Sequence, residues 1–336
     1  MKNKITMVEL ARLADVDIST VSRALNDSGL VKPKTKEKIL KIAASTGYAI
    51  NASARNLRRQ SSGAIGIVIP LIPDFGQTIS DPFFLEMVGS VSHALSRHDY
   101  DLILSVPRDE EKIAERRLLQ TGQADGLIVI GQAGHMKRLN QLDGAKGKVI
   151  VWGGRIDDLQ YPVVGSDNKE GGRLAAEHLL KLGRRKILFL GDIELPEVTL
   201  RYQGFLKAHA EQGVKYDERL TVRTNFGGKA VKAGIKYILK QGLKFDAIFS
   251  SSDLLAMSAI NALGKFGLRV PKDVAIVGYD NINLAKMATP PLTTIDQSVA
   301  EGGVIMVDLL LQGLAGKPVK SKFTETQLIV RESCGG

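Results

Sequence analysis

Cysteine is nearly absent from this chain, since the only one, Cys334, lies two residues before the end of a sequence of 336. An internal disulfide is therefore excluded, and so is a metal site built on several cysteines. The five histidines are scattered, and no two of them have the spacing of a pair of metal ligands. We therefore expect no bound metal and no cofactor.

Long apolar runs and the common sequence motifs of enzymes are also missing. No run approaches the roughly 20 residues that cross a membrane, and the N-terminal MKNKITMVEL lacks the apolar core of a signal peptide. Neither GxxxxGKS, nor GxSxG, nor HExxH occurs. In the glycine-rich SDNKEGGR, Asp167 as a helix cap is a simpler explanation than a phosphate site. The sequence predicts a cytoplasmic protein that is not an enzyme.

Positive charge is concentrated at the N-terminal end. Residues 1–62 contain twelve Lys or Arg and five Asp or Glu, a net charge of +7, whereas residues 63–336 carry only +3 of the total +10. A small polycationic segment is the electrostatic footprint of a protein that binds a phosphate backbone. A solvated basic tail is the alternative, but it does not explain the helical periodicity of the same segment. The charge distribution predicts nucleic-acid binding.

The first part of the chain has the pattern of three short helices. Thr6 and Glu9 have the spacing of a capping box, a third helix near 34–46 follows Pro33, and Gly47 stands where a left-handed C-terminal cap is needed. A tight turn between the first two helices is typical of a helix-turn-helix. The residues expected to face its core are Val8, Leu10, Ala11, Ala14, Val21, Ala24, Leu25, Ile39, Leu40, Ile42 and Ala43.

From Ile65 onward, short β-rich runs alternate with helical stretches such as 171–183 and 254–267. Strands that are apolar along their whole length form parallel sheets covered by helices on both faces. They are too many for one compact sheet, so we expect two doubly wound subdomains, with ligands at strand carboxyl ends or in the cleft between them. The runs are IGIVIP (65–70), DLILSV (101–106), GLIVIG (126–131), KVIVWG (148–153), KILFLG (186–191), AIFSSS (247–252) and VAIVGYD (274–280).

A series of motifs runs essentially from end to end. The head contains VELARLADVDISTVSRALN and KTKEKILKIAASTGYAINASARNL, and the body contains GLIVIG, SDNKEGGRLAAEHLLKLGRRKI, RYQGF, VAIVGYDN, PPLTTIDQ and LIVRES. In this order they resemble the lactose/galactose-repressor (LacI/GalR) family of bacterial transcription regulators. The resemblance implies a small all-α helix-turn-helix DNA-binding head plus an α/β periplasmic-binding-protein-like body of two doubly wound parallel-sheet subdomains.

The resemblance also implies domain boundaries. It places a DNA-binding domain at 1–50, a hinge helix and linker at 51–62, and an effector-binding and dimerisation domain at 63–336. Within the last, subdomain one covers about 63–165 and 292–325, and subdomain two about 166–291. Two heads imply a two-fold dimer on a near-palindromic site, with the dimer contact mainly through the helix after ISDPFFLEMVGSVSHAL. No heptad tail follows LIVRES, so a tetramer is not expected.

Roles in DNA binding follow from the same resemblance. Arg23 can contact guanine through two hydrogen bonds, and Ile18 can pack on a thymine methyl group. Thr20 and Ser22 suit phosphate oxygens, or they bond locally on a solvated face. Leu57 matches a leucine pair that wedges into the minor groove. The implied contacts are Thr6, Ile18, Ser19, Thr20, Ser22, Arg23, Asn26, Tyr48, Asn51, Ala54 and Leu57.

In the body, Arg201 of RYQGF and Asp280 of GYD match ligand contacts of the family. An arginine that donates and a carboxylate that accepts suit a polyhydroxylated ligand. The alternative is that the two form a structural pair and that the aromatic candidates are plain core. The implied effector-binding residues are Phe83, Trp152, Arg201, Phe226, Ser252, Asp280 and Gln297, with Asp81 as a further candidate.

Three residues depart from the family pattern. Ser252 replaces the usual asparagine before an aspartate, which predicts a larger or differently placed ligand. Asp15 and Asp17 replace glycine and a hydroxyl residue in the turn before the second helix. Aspartate tolerates a positive φ and is a good N-cap, so both carboxylates are expected to serve the fold of the head rather than base recognition.

The sequence as a whole predicts a DNA-binding regulator. Its most direct form is a dimeric repressor of a carbohydrate-utilisation operon that binds a palindromic operator and a sugar effector. A regulator that responds to a purine or nucleoside is the alternative. A sugar-binding transport protein would instead need a signal peptide and no helix-turn-helix head.

Overall fold

The computed structural model describes residues 5–25, 29–48, 61–71, 76–107, 114–132, 139–140 and 147–335. The chain divides into two compact units, Met1–Ser62 and Gly63–Gly336, called the head and the body below. Among the described residues, no helix has the length and apolar character needed to cross a bilayer.

The described part of the head contains three helices around a small apolar core: α1 (Met7–Ala14), α2 (Ile18–Leu25) and α3 (Pro33–Thr46). The capping box predicted at Thr6 and Glu9 is confirmed, and Gly47 adopts the predicted left-handed conformation, with φ 66°. Two of the residues expected in the core, Val8 and Leu40, are exposed instead. Each lies on a helix that packs against the core along one stripe about 100° wide, and the side chains of Val8 and Leu40 lie outside that stripe. The residues that form the core are Leu10, Ala11, Ala14, Val21, Ala24, Ile39 and Ala43.

The body contains two six-stranded sheets, as the alternating pattern predicts. The first has the order β11-β5-β4-β3-β1-β2 and the second the order β12-β10-β9-β8-β6-β7. All neighbours are parallel except β10 and β12. The strands are β1 (Ala64–Val68), β2 (Asp101–Ser105), β3 (Gly126–Ile130), β4 (Val149–Trp152), β5 (Val163–Ser166), β6 (Ile187–Leu190), β7 (Thr221–Val222), β8 (Ala247–Ser250), β9 (Ala275–Asp280), β10 (Thr293–Asp296), β11 (Lys322–Thr324) and β12 (Gln327–Ile329).

Helices cover both faces of each sheet, so the body has two apolar layers in each subdomain. This burial explains why the central strands are apolar along their whole length. The helices are α4 (Pro82–Leu95), α5 (Ala114–Gln120), α6 (Asn168–Lys181), α7 (Pro196–Glu211), α8 (Gly228–Lys240), α9 (Asp253–Lys265), α10 (Asn283–Met287) and α11 (Val299–Leu314).

The chain crosses between the two sheets three times, after β5, after β10 and after β11. Hydrogen bonds join the three crossings: Ser166 Oγ donates to Gln297 Oε1 at 2.8 Å, and Thr324 Oγ1 donates to the Gln297 carbonyl oxygen at 2.8 Å. The structure differs here from the expected boundary at residue 292, because β10 pairs with β9 in the second sheet. The second crossing therefore lies at 297–298, which local sequence pattern cannot show, since strand pairing depends on distant residues.

Helices α6 and α7 lie unusually close together. A Cβ atom placed on Gly172 would collide with the carbonyl oxygen of Arg201, and one placed on Gly204 would collide with the carbonyl oxygen of Lys169. Glycine at both contact points permits this approach, because it has no side chain to separate the two backbones. Arg201 of α7 thus lies beside α6, and its side chain donates to Asn168, the first residue of α6.

We expect Gly204→Ala to destabilise the body by about 1–3 kcal/mol, because the added methyl group overpacks a backbone contact that has no room to relax. Gly264→Ala in α9 is the matched control, since a Cβ atom there meets nothing within 4 Å. Removing glycine from a helix without a clash should stabilise the protein by about 0.5–1 kcal/mol. Urea unfolding of the two variants checks the contrast, and equal midpoints would show that the helices can separate freely.

Candidate nucleic-acid interface and ligand cavity

The exposed face of α2 carries the three residues predicted to contact bases. Ile18 is 47% exposed although it is apolar, and Ser19 and Arg23 are also exposed. Thr20 is half-buried and Ser22 is 8% exposed, so these two hydroxyl groups lie nearer the core of the head. An apolar side chain beside an arginine on an exposed helix face matches what a helix in the major groove presents to base edges.

The turn before α2 has the conformation expected for its two aspartates. Asp15 is left-handed, with φ 55° and ψ 52°, and its backbone N–H donates to carbonyl oxygens of α1. The Asp17 carbonyl oxygen accepts from the backbone N–H of Thr20 at 2.9 Å and of Val21 at 3.1 Å, so Asp17 begins the helix. Both side chains are exposed. These positions agree with a role in shaping the turn.

The remaining predicted DNA contacts fall into two groups. Thr6 is exposed at the start of α1, where its hydroxyl group bonds to Glu9, and Tyr48 packs half-buried against the core of the head. Four others lie outside the described residues: Asn26, Asn51, Ala54 and Leu57.

A cavity lies between the two subdomains of the body, at the carboxyl ends of the strands. Six of the seven predicted effector residues line it, namely Phe83, Trp152, Arg201, Phe226, Ser252 and Asp280, and Asp81 lines it as well. The seventh, Gln297, is buried behind Asp280 and does not line the cavity. Among the residues that the structure describes, no cluster of side chains could hold a metal ion.

The guanidinium group of Arg201 is almost completely enclosed by protein. Its Nε donates to Asn168 Oδ1 at 2.8 Å, Nη1 donates to the carbonyl oxygen of Ser251, and Nη2 approaches Gln297 Oε1 at 3.5 Å. The Arg201 Cζ atom also lies 3.7 Å from the centre of the Tyr279 ring. Arg201 therefore has a structural role as well. All three guanidinium nitrogens have protein acceptors, so only part of their donor capacity is left for a ligand.

Asp280 is the last residue of β9 and has an unfavourable backbone, with φ 122°. Strained backbone of this kind is held by its surroundings and is often found at ligand sites. The Asp280 carboxylate accepts from Gln297 Nε2 at 2.6 Å and lies 3.9 Å from Arg201 Nη1. Burial raises the pKa of Asp280 to about 7 although the charge of Arg201 opposes the rise, and the nearby Asp81 adds to it.

Aromatic side chains form much of the cavity wall. The ring centres of Phe83 and Trp152 are 6.5 Å apart, and Trp152 also belongs to the core of the first subdomain. Phe226, from the second subdomain, lines the cavity while it packs against the core behind it. Ser252 Oγ accepts from the backbone N–H of Leu255 at 3.3 Å, so this short side chain caps α9 as well as lining the cavity.

Sequence reasoning missed several polar residues of the cavity, of which Glu197 and Gln132 are the most important. Glu197 lies one helical turn before Arg201 in α7, and this spacing was the available signal. Gln132 follows the end of β3, where ligand-binding residues of parallel sheets are found. The Gln132 backbone N–H donates to Glu197 Oε1 at 3.3 Å, which joins the two subdomains across the cleft.

We expect Asp280→Asn to stabilise the body increasingly as the pH rises from about 4 to about 7. The folded state raises the pKa of Asp280 from 3.8 to about 7, so the folded protein keeps a proton that the unfolded chain loses over this range. The contribution of Asp280 to the stability of the parent protein therefore falls with rising pH, with a limiting slope of about 1.4 kcal/mol per pH unit. Asparagine cannot ionise and escapes this loss.

Unfolding free energies of the two proteins at several pH values measure this difference. Asp273→Asn is the control, because Arg269 lowers the pKa of Asp273 below 3.8, so that its contribution changes only at more acidic pH. A difference between Asp280→Asn and the parent that stays constant from pH 4 to pH 8 would show that Asp280 is ionised throughout.

Two family models match the chain. Residues 6–51 match "Bacterial regulatory proteins, lacI family", and residues 176–334 match a "Periplasmic binding protein-like domain". Among curated proteins, the chain is 33% identical to the ribose operon repressor of Halalkalibacterium halodurans, over 98% of this chain and 97% of that protein. It is 29% identical to the transcriptional repressor PurR of Histophilus somni, over 98% of each.

Solved structures agree with these matches. A complex of the transcriptional regulator CelR with cellobiose is 30% identical, covers 98% of this chain and 99% of its own, and superposes with a TM-score of 0.71. The lac repressor dimer bound to operator and the anti-inducer ONPF is 25% identical over 99% of each chain, with a TM-score of 0.85. The fold and the resemblance expected from the motifs are thereby confirmed, and the chain belongs to the LacI family of bacterial transcriptional regulators.

Proposed function

We propose that this protein is a cytoplasmic repressor that binds a palindromic operator as a dimer and responds to a sugar bound in the cavity of the body. The observation that carries the proposal is the combination of two sites in one chain. The head carries a net charge of +7 and presents Ile18, Ser19 and Arg23 on an exposed helix face. The body encloses a cavity between two lobes that are joined by three crossings.

In the head, we assign base recognition to Ile18, Ser19 and Arg23, and contacts to the DNA backbone to Thr6, Thr20, Ser22, Asn26 and Tyr48. Asn51, Ala54 and Leu57 are assigned to a hinge helix that wedges Leu57 into the minor groove. Dimerisation is assigned mainly to the first subdomain, through the helix after ISDPFFLEMVGSVSHAL. A two-fold dimer places two identical heads on the two halves of a palindrome.

In the body, a sugar ring would stack on Phe83, Trp152 or Phe226, while its hydroxyl groups would donate to Asp280 and accept from Arg201. Hydrogen bonds connect the ligand site to the crossings, because Gln297 donates to Asp280 and accepts from Ser166. A ligand that prefers one arrangement of the lobes shifts the population toward that arrangement and so changes operator affinity.

A mobility-shift titration tests the proposal with a palindrome from the region upstream of the adjacent genes. The protein is titrated alone and with ribose, cellobiose or a purine base. Weaker operator binding identifies an inducer, and tighter binding identifies a co-repressor. If no small molecule changes the affinity, the proposed allosteric response is wrong, and if random DNA binds as tightly as the palindrome, the proposed operator recognition is wrong.

We expect Arg23→Ala to lose about 1–3 kcal/mol of binding free energy at the preferred operator and much less on random DNA, because its contacts are to base edges. Thr20→Ala is the matched variant on the same helix. It should weaken operator and random DNA by similar amounts, since phosphate contacts carry no sequence information. Competition mobility shifts measure both ratios, and equal losses on the two DNAs for Arg23→Ala would remove it from the base-reading set.

We expect Asp17→Ser to tighten DNA binding at low salt without changing base preference. Serine is as good an N-cap as aspartate, so α2 should remain folded. Loss of a carboxylate beside the phosphates should contribute at most about 1 kcal/mol, the interaction of two unit charges about 4 Å apart in water, and salt should screen it. Weaker binding by a folded Asp17→Ser head would instead make Asp17 a direct DNA contact.

A further inference from the structure

The cavity of the body carries more negative than positive groups. Among the lining residues that the structure describes, Asp81, Glu197 and Asp280 have carboxyl groups, and Arg201 alone is cationic. Asp81 precedes α4 of the first subdomain, whereas Glu197 and Asp280 belong to α7 and β9 of the second. Carboxyl groups therefore line the cavity from both lobes.

Arg201 does not balance these carboxyl groups. Its guanidinium nitrogens donate to Asn168, Ser251 and Gln297, and an Asp280 carboxylate oxygen lies 3.9 Å from Nη1. Within the described part of the chain, Asp81 and Glu197 form no ion pair. A neutral ligand would leave two carboxyl groups in the cavity without a cationic partner.

Glu197 is the clearest case of a carboxyl group without a cation. Its side chain lines the cavity and is half-buried, and this burial raises its pKa although the charge of Arg201 opposes the rise. The hydrogen bond from the Gln132 backbone N–H is long, at 3.3 Å, and comes from the opposite lobe. Buried carboxylates are normally paired with a cation or with several donors. The Glu197 carboxyl group can therefore accept a further hydrogen bond from a donor that a ligand would bring.

The aromatic wall favours the same kind of ligand. Phe83, Phe84, Trp152 and Phe226 line the cavity alongside the carboxyl groups. The face of an aromatic ring attracts a cation, and rings combined with carboxylates are a recurrent way to bind ammonium groups. Sugar rings also stack on such faces, so the wall accepts a ring that carries a positive charge.

We propose that the effector of this cavity carries an ammonium group and that Glu197 is the specificity-determining residue that binds it. On the sugar scaffold of the proposed function, on which this inference rests, the ligand is an amino sugar. Its ammonium group donates to the Glu197 carboxylate, and its hydroxyl groups donate to Asp81 and Asp280. A phosphorylated sugar is rejected, because its phosphate would lie among like charges.

Trp152 supplies the measurement, since it is the only tryptophan of the chain and lines the cavity. The full-length protein is titrated with glucosamine, galactosamine and mannosamine, each paired with its neutral hexose, while tryptophan emission is followed. We expect at least one amino sugar to bind about tenfold or more tightly than its neutral counterpart, as a desolvated charge pair requires. Glucose 6-phosphate should leave the emission unchanged.

Glu197→Gln should abolish the preference for the amino sugar while it retains binding of the neutral hexose. Glu194→Gln is the matched control, because Glu194 lies three residues earlier, is 73% exposed and pairs with Arg223 outside the cavity. If Glu197→Gln fails to fold, Asp81→Asn provides a second test, since asparagine can still cap α4 as Asp81 does. It should reduce the same preference, because it removes one of the three carboxyl groups that line the cavity and attract a cation.

The inference is overturned if no amino sugar changes the emission at millimolar concentration, or if each neutral hexose that binds does so as tightly as its amino counterpart. It is also overturned if the preference survives in Glu197→Gln. Neutral sugars that bind as tightly as their amino counterparts and alter operator affinity would leave the proposed function intact while removing the ammonium group from it. Loss of operator recognition in the mobility-shift experiment would affect only the proposed function.

Discussion

The guanidinium group of Arg201 lies between the two lobes with 8% of the residue exposed, where an unpaired charge would cost several kcal/mol. Several groups of the body stabilise this buried charge. Asn168 and the Ser251 carbonyl oxygen accept from it, Tyr279 stacks beneath it, and the Asp280 carboxyl group lies 3.9 Å from Nη1. The close approach of α6 and α7 at two glycines brings the Asn168 acceptor within reach. The packing of the body and the lining of the cavity thus both depend on stabilising the buried charge of Arg201.

The same group connects the cavity to the crossings between the sheets. Gln297 stands on the second crossing, donates to Asp280, and accepts from Ser166 at the end of the first. A hydrogen bond that a ligand makes to Asp280 would therefore act next to Gln297 and the second crossing between the sheets. The three crossings are bonded to one another through Gln297, so the two lobes are tied together where the chain passes between them.

Different parts of the structure were predictable to different degrees. The capping box at Thr6 and the turn at Asp15 depend on neighbouring residues, so spacing alone was sufficient for both. The effector residues taken from motif resemblance line one cavity, apart from Gln297, which lies behind it. Glu197 was missed because no motif contains it, and because its importance depends on enclosure by the opposite lobe. The exposure of Val8 depends likewise on how three helices meet.

The sequence by itself determined the class of protein. The charge and helical periodicity of the first 62 residues, the alternation of strand and helix patterns in the body, and the order of the motifs can all be read along the chain without knowledge of its folding. Only the tertiary structure decided which strand belongs to which sheet and which side chains share a cavity. It also decided which acceptors bond to the Arg201 guanidinium group and how burial raises the pKa of the nearby Asp280. These properties arise between residues that are distant in sequence, because removal from water depends on what packs around a group.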